Sequence, residues 1–235
     1  MIIYMAVYAS VSQVSFNKTN LVIISDLNVT GMQKFANFAE YIQNRFMTFE
    51  EDIKNAVEVL KRGGVILYPT DTVWGIGCDA TNAAAVQRIY DIKHRADSKA
   101  LIVLLGNKIE LYRYVDDVPD IALELIDASV RPTTVIYDNA INMARNVVAE
   151  DGSVAIRVTS DPFCQEICRR LRRPLVSTSA NISGEPTPPT FRRIDPEIVN
   201  AVDYVAEHRR DDCSRAKPSI IIKISADSTF KIIRK

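Results

Sequence analysis

The sequence predicts an α/β protein built around one mixed sheet. Short apolar runs recur at Val65 to Tyr68, Leu101 to Leu105, Val154 to Val158 and Leu175 to Thr178, each the length of a buried strand. Segments with helical apolar spacing lie between them, such as Ile53, Ala56, Val57 and Leu60, then Ala85, Val86, Ile89 and Ile92. Polar loops follow several of the apolar runs, and in α/β proteins ligand sites are built from loops at strand ends.

In chain order, Thr48 and Glu51 form a capping box for a first helix that Gly63 and Gly64 stop. Val65 to Tyr68 breaks at Pro69 into a loop carrying Thr70, Asp71 and Thr72. Gly75 and Gly77 permit close backbone approach, but their spacing matches neither a Rossmann nor a P-loop fingerprint. A helix runs from Asn82 to Lys93, and Leu101 to Leu105 is apolar throughout, as a central strand requires. Helical patterns cover 107–113 and 119–128, and a strand runs from Thr134 to Tyr137. Val154 to Val158 is a strand, Pro162 to Leu171 a helix, and Leu175 to Thr178 a strand entering a Ser-Ala-Asn loop. Asp195 and Pro196 open a further helix as N-cap and first-turn proline, and strands at 219–225 and 229–234 close the chain. Residues 1–46 form an N-terminal extension outside this pattern, and the domain proper is expected over 47–235, with Met47 as a start and the preceding segment poorly packed.

Composition narrows the function. The 235 residues carry 29 basic and 29 acidic side chains, so the chain is not built mainly to coat nucleic acid. Hydrophobic content of 47% and charged content of 25% are those of a soluble globular protein. No stretch reaches the ~18 apolar residues a membrane helix needs, and the N-terminus lacks the positive region of a signal peptide. Cys78, Cys164, Cys168 and Cys213 have no Cys-x-x-Cys spacing, and with only His94 and His208 no metal site is expected. Core packing is the expected role of Cys164 and Cys168, and a reducing cytoplasm the expected compartment.

The polar residues each have an ordinary alternative. Lys93 and Arg95 close a helix, where cations complement the macrodipole by about 0.3–1 kcal/mol each. Ser177, Ser179, Asn181 and Ser183 could be a self-satisfied turn, and Arg157, in an apolar strand, could reach solvent from an edge. Arg169, Arg170, Arg172, Arg173, Arg192, Arg193, Arg209, Arg210 and Arg215 could line a surface for RNA phosphates or simply be solvated, and no aromatics interleave them.

Three blocks in register bear on these alternatives: Pro-Thr-Asp-Thr-Val-Trp-Gly from Pro69, Ile-Lys-His-Arg-Ala-Asp-Ser-Lys-Ala-Leu from Ile92, and Ser-Thr-Ser-Ala-Asn-Ile-Ser-Gly from Ser177. Together they resemble the signature blocks of the YrdC-like family of threonylcarbamoyl-AMP synthases, over roughly 47–235. The resemblance implies a three-layer fold with a twisted mixed parallel and antiparallel sheet and a concave ligand cleft. It implies synthesis of threonylcarbamoyl-AMP and pyrophosphate from L-threonine, bicarbonate or CO2, and ATP, with Mg2+ accompanying the nucleotide. It places Lys93 and Arg95 at the phosphates as catalytic cations, and Arg95, Lys99, Thr134, Asn181 and Ser219 around ATP. Thr72, Arg157 and Ser179 fall to L-threonine. Partners implied are RNA or tRNA and the downstream threonylcarbamoyl-transfer machinery, in the cytoplasm and without a membrane. The chain departs from the family pattern at Trp74, Ala96, Ala100, Arg131, Thr159 and Pro189. Two competing readings are a YciO-type paralogue that binds double-stranded RNA and a nucleotide-binding regulator without turnover.

Overall fold

The computed structural model describes residues 14–16, 22–24, 47–95, 101–214, 218–224 and 229–234. The chain divides into two units, Met1–Thr48 and Phe49–Lys235. In the first, β1 (Val14–Phe16) and β2 (Val22–Ile24) pair antiparallel. The second begins with α1 (Phe49–Lys61), β3 (Ile66–Tyr68), β4 (Gly75–Gly77), α2 (Ala83–Ile92) and β5 (Ile102–Leu105). A 3-10 segment (Lys108–Arg113), α3 (Asp120–Ala128), β6 (Thr133–Tyr137), β7 (Val154–Val158) and α4 (Pro162–Leu171) follow. The described chain ends with β8 (Leu175–Ser179), α5 (Pro196–Ala201), β9 (Tyr204–Val205), β10 (Ile220–Ile224) and β11 (Phe230–Arg234).

Nine strands form one mixed sheet in the order β11-β10-β6-β7-β5-β8-β4-β3-β9. β5 is parallel to β7 and antiparallel to β8, while β6 is antiparallel to β7 and parallel to β10. Side chains alternate across the sheet, so register decides which layer each meets. On one face Ile66, Tyr68, Leu104 and Leu175 pack with Ile53 and Leu60 of α1 and Phe163 and Ile167 of α4. On the other, Val103, Leu105, Val135, Ile156 and Val176 pack with Val86 and Ile89 of α2 and Ala122 of α3. This is the α/β class around a mixed sheet that the alternating runs predict, in the layered form that the resemblance implies. Cys164 and Cys168 are buried in the α4 layer, where desolvation raises both thiols well above their usual range.

Three segments differ from the sequence reading. Gly75–Gly77 is a strand rather than part of a loop, because glycine is what its neighbours leave room for. A Cβ on Gly77 would stand 2.3 Å from the Val176 carbonyl oxygen. Lys108–Arg113 has helical patterning but winds as a 3-10 helix, opened by the Asn107 side chain accepting from Ile109 N–H. Tyr204–Val205 adds a two-residue edge strand, parallel to β3.

Candidate functional site

Arg157 is placed by register. It lies opposite Leu104 on β5, and its side chain is turned to the face that α1 and α4 cover only in part. There its guanidinium meets Asp71 of the loop after β3 at 3.1 Å, and donates to the Thr72 hydroxyl at 3.4 Å. Thr72 shares a hydrogen bond with Thr70, which donates in turn to the Val73 carbonyl. Thr159 donates to the second oxygen of Asp71 at 3.3 Å. Arg157 is only 3% exposed, yet its Nε has no acceptor, and Asp71 Oδ1 forms no hydrogen bond of proper geometry. Buried polar atoms of this kind are rare in finished cores and call for a partner.

The same face carries a second polar group. Thr134 and Ser219 share a hydrogen bond of 2.9 Å, and Arg234 of β11 donates to both the carbonyl and the hydroxyl of Ser219. Burial lowers the Arg234 pKa first, and the charge of Arg157 lowers it further, so the two guanidiniums sense one another. A row of Arg234, Ser219, Thr134, Arg157 and Thr72 thus crosses four strands, with Asp71 as its carboxylate.

β8 partitions the remaining residues. Ser177 and Ser179 share the Arg157 face by alternation, whereas Thr178 turns toward the α2 layer. Arg95 Nη1 donates to the Thr178 hydroxyl at 3.3 Å, and burial lowers its pKa. Lys93 is 2% exposed, and its ammonium donates to the Ser179 and Asn181 carbonyls, the latter at 2.6 Å. Burial, then the charge of Arg95, lowers Lys93 to about 8. The Asn181 amide donates to the Ile182 and Glu185 carbonyls, and its own oxygen is buried without a partner.

Asn82 starts α2, its side chain accepting from Ala84 and Ala85 N–H. The helix ends in a Schellman-type turn: His94 takes φ 49° and donates to Asp91, while Arg95 N–H donates to the Tyr90 carbonyl. That turn aims Lys93 and Arg95 at the end of β8. Beside it opens a cleft of about 410 Å3, lined by Asn181, Glu185, Pro186, Pro189, Arg193 and Asp195.

The structure therefore joins Thr72, Arg157, Thr134 and Ser219 on one face, and Lys93, Arg95, Ser179 and Asn181 at the end of β8. Lys99 lies outside the described residues. Asp71, Thr159 and Arg234 belong to the site but were not candidates from sequence. Asp71 lies in a loop that the sequence shows to be polar, Thr159 is marked only as a departure from the family pattern, and nothing local marks Arg234. Trp74 packs tilted on Phe191 with centroids 4.8 Å apart, below the Arg210 guanidinium.

Known proteins share this fold. The Sua5/YciO/YrdC family model, described as telomere recombination, matches residues 58–235. A Pseudomonas aeruginosa protein named threonylcarbamoyl-AMP synthase is 38% identical over 151 residues, which span 64% of this chain and 81% of that protein. The crystal structure of E. coli YciO superposes with a TM-score of 0.68 at 26% identity, covering 78% of this chain and 88% of that one. P. abyssi Sua5 complexed with L-threonine superposes with a TM-score of 0.67 at 22% identity, and shows the fold. That match covers 76% of this chain and 52% of the Sua5 chain, so this chain spans about half the length of that relative.

Proposed function

The chain belongs to the Sua5/YciO/YrdC family, and from that premise we propose that it is an L-threonylcarbamoyladenylate synthase acting in tRNA modification. The amine of L-threonine takes up CO2 to give a carbamate. A carbamate oxygen then attacks the α-phosphorus of ATP, the new P–O bond forms, the bond to the β-phosphate breaks, and pyrophosphate leaves. No covalent enzyme intermediate is required, so the protein contributes position and charge.

The observation that carries this reading is the buried, incompletely satisfied Arg157–Asp71 pair beside Thr72. An Arg held in place by one carboxylate, with donors left over, suits a second carboxylate, and the amino acid brings one. Thr72, Arg157 and Ser179 are proposed to hold L-threonine. Arg95, Lys99, Thr134, Asn181 and Ser219 are proposed to hold ATP, with Arg95 supporting charge at the transferring phosphate. The excess of cations over Asp71 in the site suits a triphosphate. Among the described residues no group of three His, Cys, Asp or Glu side chains could hold a metal, so Mg2+ is proposed to arrive on the phosphate oxygens. No helix among the described residues is long and apolar enough to cross a membrane, and the cytoplasm is the proposed compartment.

RNA binding as the principal role is not favoured. Arg169, Arg170, Arg173, Arg192, Arg209 and Arg210 of the basic cluster each pair with a carboxylate, which reduces the field they offer to phosphates. Product transfer to tRNA by a downstream enzyme fits the proposed chemistry. The test is pyrophosphate release from ATP, omitting threonine and bicarbonate in turn. Release should need both, and Arg157→Met should raise the KM for threonine by about tenfold or more while leaving ATP binding intact. Release independent of threonine would overturn the assignment.

A further inference from the structure

Lys93 spends both its backbone and its side chain on the turn after β8. Its carbonyl accepts from Ser183 N–H at 2.8 Å, and its ammonium donates to Asn181 O at 2.6 Å and to Ser179 O. With only 2% of the residue exposed, the ammonium points into the protein. Among the described residues, the charge that acts on it is that of Arg95. A lysine serving as a point charge for phosphate would turn its ammonium toward solvent and ligand. Arg95, half-buried and hydrogen-bonded to Thr178 at the end of the same strand, is better placed to do so.

We propose that Lys93 is a positioning residue, which clamps the Ser179–Asn181 turn onto the end of α2 so that the turn, and not the ammonium, meets the nucleotide. The proposal rests on the reading of this turn as a nucleotide site, and it departs from the phosphate role that the resemblance implies for Lys93. Three hydrogen bonds converge from one residue on one five-residue turn, which β4 also holds through Ala180 N–H donating to the Trp74 carbonyl and the pairing of Ser179 with Gly75. Within the turn Asn181 N–H donates to Ser179 O, and the Asn181 amide to the Ile182 and Glu185 carbonyls. Without the ammonium, the Asn181 carbonyl loses its donor and the Ser179 carbonyl keeps only Asn181 N–H.

Two measurements test it. Acetylation of wild-type protein, read by mass spectrometry, should leave Lys93 unmodified with or without ATP. Labelling that ATP suppresses would show an outward ammonium and overturn the proposal. In Lys93→Met, amide exchange over residues 179–185 without ligand should accelerate by roughly tenfold or more. Titration with ATP and with adenosine should then show affinity lost by the same factor for both. Unchanged exchange, or a loss confined to ATP, would overturn it. Should the variant not fold, the labelling of wild type still decides. Both readouts are independent of turnover, so failure of the wild type to release pyrophosphate would sink the synthase reading and leave this one standing.

Discussion

Arg157 shows how one residue can be legible in type and illegible in partnership. A cation inside an apolar strand signals a buried charge that must be matched. Its match, Asp71, lies 86 residues earlier in the chain (157 minus 71), and nothing in the spacing connects them. Thr159 replaces the proline of the family pattern and supplies a hydroxyl to Asp71 that proline lacks, so the departure has a contact of its own. Lys93 carries a consequence for stability against pH. Its folded value of about 8 lies below the ordinary lysine value of 10.5. Below pH 8 both folded and unfolded chains carry the charge, and the folded state bears the full desolvation cost. Between the two values the folded chain alone sheds its proton, so the unfolded chain binds more protons and stability rises with pH. Wild-type stability relative to Lys93→Met should therefore increase from pH 8 to 10.5, on the order of 3 kcal/mol in all. Denaturant unfolding of both proteins at several pH values measures this, and a flat difference would count against the buried ammonium.

At the scale of elements, strongly patterned segments were readable and weakly patterned ones were not. α1, α2 and α4 follow apolar spacing bounded by recognisable caps, including Asp161, which accepts from Cys164 N–H ahead of Pro162. β4 is the contrary case, since Gly-Ile-Gly has little strand propensity. It is a strand because Tyr68 on one side and Val176 on the other crowd out any side chain at Gly77. Gly77→Ala should accordingly cost about 1–3 kcal/mol, as forced overpacking does. Thermal unfolding would show it, and a loss below 1 kcal/mol would mean that β4 and β8 can separate without harm. Arg172 at the end of α4 and His94 at the end of α2 both adopt left-handed backbone where glycine is usual, yet apolar spacing alone ends these helices at Leu171 and Lys93, as the structure does to within a residue.

Across the whole molecule, the sheet converts distant residues into one site. β6, β7, β10 and β11 bring Thr134, Arg157, Ser219 and Arg234 into a row, while β8 delivers Ser179 and Asn181 to the end of α2. All of these lie in the unit Phe49–Lys235. We therefore predict that a chain beginning at Met47 keeps the melting temperature and the pyrophosphate release of the full chain. A large fall in either would give residues 1–46 a role in the domain. The sequence by itself determined the α/β class, the order of most helices and strands, and the blocks holding Thr72, Lys93, Arg95, Ser179 and Asn181. Those properties are local, because periodicity and capping act over a few residues. Only the tertiary structure decided that Arg157 pairs with Asp71, that Arg234 reaches Ser219, and that Lys93 turns inward to two carbonyls. Each depends on strand register and sheet order, which bring together groups that no short-range pattern relates.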